Sequence, residues 1–246
     1  MEPVVEVLGD LRKKNCTTVM RNLTGQHSDR YYFKIQAEGF SLTETKAVSI
    51  LVSDSLAEPN VTVPLLREDE EVNLTCTVPA PCPSHPPNVT WAPALGADVT
   101  QRTQLNADGT HSVSAILKLV PSFHHHNLKV NCVSIHPLHR KNKPLLSYKT
   151  VIFSVNYPPK ETWISLTGSV WLGNNVTLTC QSNANPPAGH RWFMKTAGVE
   201  EELAVSHVLS FTAAHENTGE YICEVQNPYG AMNSTILQIT VPGLKN

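Results

Sequence analysis

The chain has no run approaching the roughly 18 apolar residues that a membrane-spanning helix needs. Its start, Met1-Glu2-Pro3-Val4-Val5-Glu6, offers neither the basic n-region nor the apolar h-region of a signal peptide. An excess of either charge is also missing: 19 Lys and Arg stand against 21 Asp and Glu, a net charge of −2. That balance argues against a binder of nucleic acid or of an anionic membrane surface. No C-x-x-C pair is present, which disfavours zinc as the use of any spare cysteine. No Ser/His/Asp order, paired carboxylates or phosphate-binding glycine loop stands at a telling spacing, so we expect neither catalysis nor a cofactor. No segment keeps a helical period for long.

What is present is a repeat. Val72-Asn73-Leu74-Thr75-Cys76 returns as Asn175-Val176-Thr177-Leu178-Thr179-Cys180. Each is followed by a tryptophan (Trp91, Trp192) and then by a second cysteine (Cys132, Cys223). The second copy closes with Gly219-Glu220-Tyr221-Ile222-Cys223. Cysteine, tryptophan and then tyrosine-x-cysteine is the pattern of an immunoglobulin sandwich. A disulfide ties two sheets, an indole packs on it, and a phenol pins the corner before strand F. We therefore expect an all-β chain of tandem immunoglobulin-like sandwiches, with disulfides joining Cys76 to Cys132 and Cys180 to Cys223. The 246 residues hold two complete sandwiches of about 100 residues each, with a remainder.

Cys16 and Cys82 are left over. An even count invites a bond between them, but other pairings stay open. Cys16 opens the strand-like Cys16-Thr17-Thr18-Val19-Met20, and Cys82 lies in the turn Pro79-Ala80-Pro81-Cys82-Pro83. Both are regular places for disulfides, so we expect them unpaired here or with partners upstream of residue 1. Seven N-x-[S/T] sequons occur, at Asn15, Asn22, Asn60, Asn73, Asn88, Asn175 and Asn233, and with the cysteine cassettes they point to a secreted or cell-surface ectodomain. Without a leader those disulfides would not form in the cytosol. The expectation that resolves this conflict is a piece of a longer membrane receptor, reaching the membrane only through a segment absent from this chain.

Short alternating stretches separated by Pro, Gly, Asn and Asp run throughout. Strands are expected in the last module at 162–166, 176–181, 190–195, 203–211, 220–226 and 232–241. In the middle module they are expected at 61–65, 72–78, 88–91, 112–120, 128–135 and 148–155. Asn156-Tyr157-Pro158-Pro159-Lys160 reads as a stiff spacer between those two modules. Residues 1–54 hold only the back half of a further module, with strands at 16–20, 30–36 and 45–52. There Tyr31-Tyr32-Phe33 matches tyrosine-x-cysteine, with Phe33 where the cysteine belongs.

These oddities carry a family resemblance. Gly9-Asp10-Leu11-Arg12-Lys13-Lys14-Asn15-Cys16-Thr17, followed by Ser28-Asp29-Arg30-Tyr31-Tyr32-Phe33-Lys34, resembles the V-set domain of the Siglecs, the sialic-acid-binding immunoglobulin-like lectins. In that family the strand-F cysteine is replaced, its bond moves to a strand-E cysteine, and an extra disulfide joins the first two domains; Cys16, Phe33 and Cys82 match. Cys76-Thr77-Val78-Pro79-Ala80-Pro81-Cys82-Pro83, with Trp91 after it, and Val151-Ile152-Phe153-Ser154-Val155-Asn156-Tyr157-Pro158-Pro159 look like the myelin-associated glycoprotein branch. The resemblance implies a partial V-set domain over 1–54, a C2-type domain over 58–156 and a C2/I-type domain over 160–242. It also implies that the residue after Tyr-Tyr-Phe grips a sialic acid carboxylate. The family uses arginine there, whose fork matches two carboxylate oxygens; this chain has Lys34. Phe40 is the implied aromatic against the sugar's glycerol chain, with Leu42 beyond it.

Other groups have plainer readings. Lys34 by itself is a solvated edge charge, and Phe40 a core or hairpin aromatic. His124-His125-His126 reads as a polar loop, because consecutive residues of an extended chain face opposite ways and cannot converge on a metal. The run His139-Arg140-Lys141-Asn142-Lys143 reads as a solvated hairpin tip, and Trp163 and Trp171 as packing at the domain junction. The functional expectation is a cell-surface receptor of lectin type whose partners are sialylated glycoconjugates, once the V-set is complete. The competing expectation is an adhesive or structural immunoglobulin protein that contacts other cell-surface proteins without a sugar site.

Overall fold

The computed structural model describes residues 3–53, 55–82, 84–137 and 144–243, and it is built of strands with short 3-10 turns. The chain forms two compact units: Met1–Glu58 with Leu145–Ser147, and Pro59–Pro144 with Tyr148–Asn246.

The first unit contains β1 (Val4–Val7), β2 (Thr18–Arg21), β3 (Asp29–Tyr31), β4 (Lys34–Ala37), β5 (Phe40–Thr43) and β6 (Val48–Ile50). They pair only two at a time, as β1–β2, β3–β6 and β4–β5. Such ribbons leave much of their apolar surface uncovered, and Val5, Val7, Phe33, Ile35 and Val48 are all exposed. A two-stranded ribbon by itself is marginally stable in water.

The second unit begins with β7 (Asn60–Thr62), β8 (Leu66–Arg67), β9 (Val72–Pro79), β10 (Asn88–Ala92), β11 (Asp98–Leu105), β12 (His111–Leu119), β13 (Lys129–His136) and, from Tyr148 on, β14 (Leu145–Ile152). One sheet runs β11-β12-β9-β7 and the facing one β10-β13-β14. Strict alternation builds the core between them. Leu74, Cys76 and Val78 of β9 point inward, as do Val130 and Cys132 of β13, all essentially inaccessible to solvent. Cys76 and Cys132 are bonded with Cα atoms 6.3 Å apart, and Trp91 lies directly opposite Cys132 in the ladder.

The rest of the second unit repeats the plan with β15 (Val155–Gly168), β16 (Asn175–Asn185), β17 (Gly189–Thr196), β18 (Val199–Ala204), β19 (Val208–Thr212), β20 (Gly219–Asn227), β21 (Gly230–Asn233) and β22 (Leu237–Ile239). Its sheets run β19-β16-β15-β8 and β18-β17-β20-β21, with β22 also on β20. Cys180 is bonded to Cys223, and Trp192 stands opposite Cys223.

The stretch expected to be a spacer is instead part of β15. Val155 pairs in parallel with Leu66 of β8, and Tyr157 pairs with Asn185 of β16. Its polar groups are taken up on both sides. Asn227 Nδ2 donates to the Tyr157 carbonyl at 2.8 Å, Asn156 Nδ2 to Tyr229 Oη at 2.8 Å, and Lys160 Nζ meets Glu68 Oε2 at 2.9 Å. The prolines fit there because the strand's register shifts between Tyr157 and Lys160, where ladder hydrogen bonds are interrupted. Trp163 and Trp171, expected to pack at this junction, are 45% and 62% exposed. A second register shift between Lys160 and Trp163 turns Trp163 outward, and the junction is filled by Phe123, His126 and Tyr157 instead.

The two core tryptophans differ in one atom's surroundings. Trp192 Nε1 donates to the Ser206 carbonyl at 2.9 Å, whereas Trp91 Nε1 is buried with no partner among the described residues. Leaving a buried donor unpaired costs roughly 1–3 kcal/mol, while a made bond contributes about 1 kcal/mol. Trp91→Phe should therefore destabilise the chain less than Trp192→Phe, by about 1–2 kcal/mol, in urea unfolding of the two variants. An equal or greater loss at Trp91 would mean that the two indoles are equivalent.

Candidate functional site

Each module turns into its strand F through a 3-10 turn capped by a side chain three residues on. Thr24 N–H donates to His27 Nδ1 at 2.8 Å, Ser122 N–H to His125 Nδ1 at 2.9 Å, and Ala214 N–H to Asn217 Oδ1 at 2.8 Å. In the last module Tyr221 Oη donates back to the Asn217 carbonyl at 2.9 Å, the tyrosine corner of an immunoglobulin sandwich. In the first unit Tyr31 Oη donates to the His27 carbonyl at 2.7 Å. The two corners superpose in chemistry and in spacing, so Tyr31 stands for Tyr221 and Phe33 for Cys223. Lys34 is the next residue.

Lys34 opens the β4–β5 hairpin, where it pairs with Thr43, Ile35 with Leu42 and Gln36 with Ser41. The two-residue loop Glu38-Gly39 closes it, with Gly39 at φ +74°, a value glycine adopts without a Cβ clash. Paired residues share a face and successive ones alternate. Lys34 therefore shares its face with Gln36, Ser41 and Thr43. Phe40 and Leu42 lie on the other face with Ile35. The structure does not bring Lys34, Phe40 and Leu42 together, and the reason is this register: Phe40 and Leu42 are an even number of residues apart, and their partners on β4 are out of phase with Lys34. Ser41 and Thr43, which the sequence reading passed over, are the hydroxyls beside the lysine; recognising Glu38-Gly39 as the loop would have exposed them.

Lys34 is exposed, and its ammonium meets no carboxylate among the described residues. An apolar cleft of about 440 Å³, walled by Val5, Val7, Met20, Phe33, Val48 and Ile50, has Lys34 at its lining. Cys16 and Cys82 are both free thiols, the first partly covered and the second exposed.

The three histidines have separate tasks. His124 lies tilted against Phe123 with ring centroids 3.8 Å apart, His125 caps the turn, and His126 Nδ1 accepts from Val155 N–H at 3.2 Å. No group of three metal-ligating side chains occurs among the described residues, and the basic run His139-Arg140-Lys141-Asn142-Lys143 lies outside them.

The whole arrangement defines tandem immunoglobulin-like domains. The family model of the CD80-like C2-set immunoglobulin domain matches residues 55–143, and that of the immunoglobulin domain matches 159–241. The full ectodomain of mouse nectin-like molecule 4 (Ig1–Ig3) shares the fold with a TM-score of 0.63 at 20% identity, covering 90% of this chain and 76% of that one. Myelin-associated glycoprotein of Homo sapiens is 28% identical over 236 residues, covering 94% of this chain and 36% of its own length. Sialic acid-binding Ig-like lectin 13 of Pan troglodytes is 24% identical over 249 residues, covering 94% and 61%. Over 94% of its length the chain is thus similar both to myelin-associated glycoprotein and to sialic acid-binding Ig-like lectins. It spans between about a third and three fifths of the length of these relatives.

The cap at His125 generates a pH test. Burial first, and the neighbouring His124 second, hold its ring below the ordinary imidazole value. Nδ1 accepts a backbone N–H, so the neutral ring is the folded form. With the folded value lowered, this contribution is present above the unfolded value of about 6.5 and is lost as pH falls through the folded one. Urea midpoints should therefore fall between about pH 7.5 and pH 5. His125→Asn, which copies Asn217, should keep the cap and flatten that fall; an unchanged slope would remove His125 from the account.

Proposed function

We propose that this chain belongs to a cell-surface recognition protein of lectin type, in which Lys34 contacts the carboxylate of a sialylated glycan. The observation that carries this reading is the tyrosine corner of Tyr31, which puts Phe33 in the place of the strand-F cysteine and Lys34 directly after it. Cys16, two residues ahead of β2, and the similarity to lectins named for binding sialic acid support the same reading. In it, residues 1–54 are V-set strands, 58–156 and 160–242 are supporting modules, and the sequons and disulfides belong to an extracellular setting. No helix among the described residues is long and apolar enough to cross a membrane.

The register revises what such a contact would use. Beside the Lys34 ammonium stand the Ser41 and Thr43 hydroxyls, which can donate to a carboxylate or to the hydroxyls of a sugar. Phe40 and Leu42 belong to the opposite face of the hairpin, with Ile35.

Lysine holds a carboxylate as a point charge, without arginine's two parallel bonds. With a relative's front V-set strands joined ahead of the chain, Lys34→Arg should bind sialylated cells about tenfold more tightly, the equivalent of about 1–2 kcal/mol. Both forms should lose binding to sialidase-treated cells. Equal binding by the two would remove Lys34 from the contact. Binding that survives sialidase would replace the lectin reading with adhesion through protein–protein contact.

A further inference from the structure

The sheet registers place the sequons in different chemical surroundings. Asn60 lies opposite Thr77 and Asn73 opposite Lys118, both on an outer face furnished with threonine, serine and charge. Asn175 lies opposite Thr212, and Asn233 opposite Glu224. Asn88 differs. It sits on β10, the open edge of the sheet β10-β13-β14, directly opposite Ile135, while Thr90 of the same sequon lies opposite Val133.

Val89, Trp91, Val130 and Cys132 fill the core, so Asn88, Thr90, Val133 and Ile135 face outward. On β14 the core is met by Val151, and Thr150 Oγ1 donates to Asn131 Oδ1 at 2.6 Å across the ladder. That bond fixes which residues of β14 share the outer face: Tyr148 and Ile152, 64% and 61% exposed. The outer face of this sheet is thus apolar along Tyr148, Val133 and Ile135, with a sequon at its margin.

We propose that an N-glycan on Asn88 lies across this face as its cover, the C–H faces and acetyl methyls of its first sugars resting on Ile135, Val133 and Tyr148. Two strand spacings and two residues separate Asn88 from Tyr148, about 12 Å, within reach of a glycan core that starts from an outward-pointing side chain. The sugar hydroxyls remain in water while apolar protein surface leaves it, which is the favourable direction of transfer. The glycan also shields β10, which among the described residues has no strand paired on its outer side, only the Val89 N–H donating to Gln101 Oε1 at 2.9 Å, and which would otherwise offer an edge for association. A sheet face with Tyr148 exposed and Val133 and Ile135 half-buried, beside an open edge, is an aggregation hazard; a bulky polar group anchored at its margin removes both liabilities. The proposal rests on the sequon reading of Asn88 and is independent of Lys34.

The test uses the whole chain secreted behind an added leader from mammalian cells, with occupancy of Asn88 read by peptide mass spectrometry. Hydroxyl-radical labelling of Tyr148 is then compared before and after enzymatic removal of N-glycans from the folded protein, and in Asn88→Gln and Asn60→Gln. Tyr148 labelling should rise several-fold on deglycosylation and in Asn88→Gln, and stay unchanged in Asn60→Gln and at Tyr229. Binding of an apolar dye should rise in parallel, and Tyr148→Ser should reverse that rise. An unoccupied Asn88, or Tyr148 labelling that does not respond to glycan removal, would overturn the proposal. Because glycan removal after folding is one arm, failure of Asn88→Gln to be secreted leaves the experiment decisive.

Discussion

Both complete modules depend on one contact, a buried cystine with an indole directly opposite its second half. Trp91 faces Cys132 and Trp192 faces Cys223 in the ladders, and the first cysteine of each pair reaches across from the facing sheet. The crosslink fixes which residues of four strands point inward. With a side-chain period of two, a slip of one residue would expose every core group. The apolar alternation of β9, β12, β13, β16 and β20 then follows from these fixed points. The first unit keeps the tyrosine corner but, among its described residues, has no such crosslink. Tyr31 is pinned as Tyr221 is, and the surface around it still shows Phe33, Ile35 and Val48 to solvent. A corner bond sets local direction; it supplies no core.

The junction between the complete modules shows a second use of strand geometry. A Pro-Pro pair reads locally as a spacer, since proline donates no hydrogen bond and stays extended. Here the flanking residues Val155 and Tyr157 pair on either side of it, and the register shifts absorb the prolines. Glu68 is nearly buried and is met by Lys160, with Phe123 N–H donating to its other oxygen at 3.3 Å. A buried carboxylate left without such partners would be strongly destabilising. The polar groups here are therefore conditions for the two modules packing at all, and they make the segment part of a sheet instead of a tether.

Legibility in the sequence followed burial. The cassettes, the disulfides of both modules and most inner strands could be read because a buried face enforces alternation that sequence records. The strands that escaped were β1, β5, β8, β11 and β18. All eight residues of β11 are exposed, and β18 carries the run Val-Glu-Glu-Glu; an edge strand wet on its outer side needs no apolar period. The 3-10 corner turns also escaped, because a histidine and an asparagine do the same capping with no common motif. At the candidate site Lys34 was an expectation carried by Tyr31 and Phe33, and the hairpin register puts Phe40 and Leu42 on the face opposite to it. Which face a hairpin residue takes is set by its loop, and the weak signal Glu-Gly was all that marked it.

That phase also alters the physical chemistry of the proposed contact. An aromatic beside the lysine would offer apolar surface to the carbon chain of a sialic acid. The face actually presented by β4 and β5 around Lys34 is polar, with Gln36, Ser41 and Thr43. A single ammonium in water attracts a carboxylate by about 1 kcal/mol at 4 Å, and its three donors rotate freely. Neighbouring hydroxyls held by the ladder add direction that lysine by itself lacks. Recognition on this face would then come from several modest, water-exposed hydrogen bonds in place of one forked ion pair, which leaves each of them individually dispensable and sensitive to salt. A contact of that kind gains strength chiefly by being repeated on a surface, where a second binding event occurs at the high effective concentration set by the first.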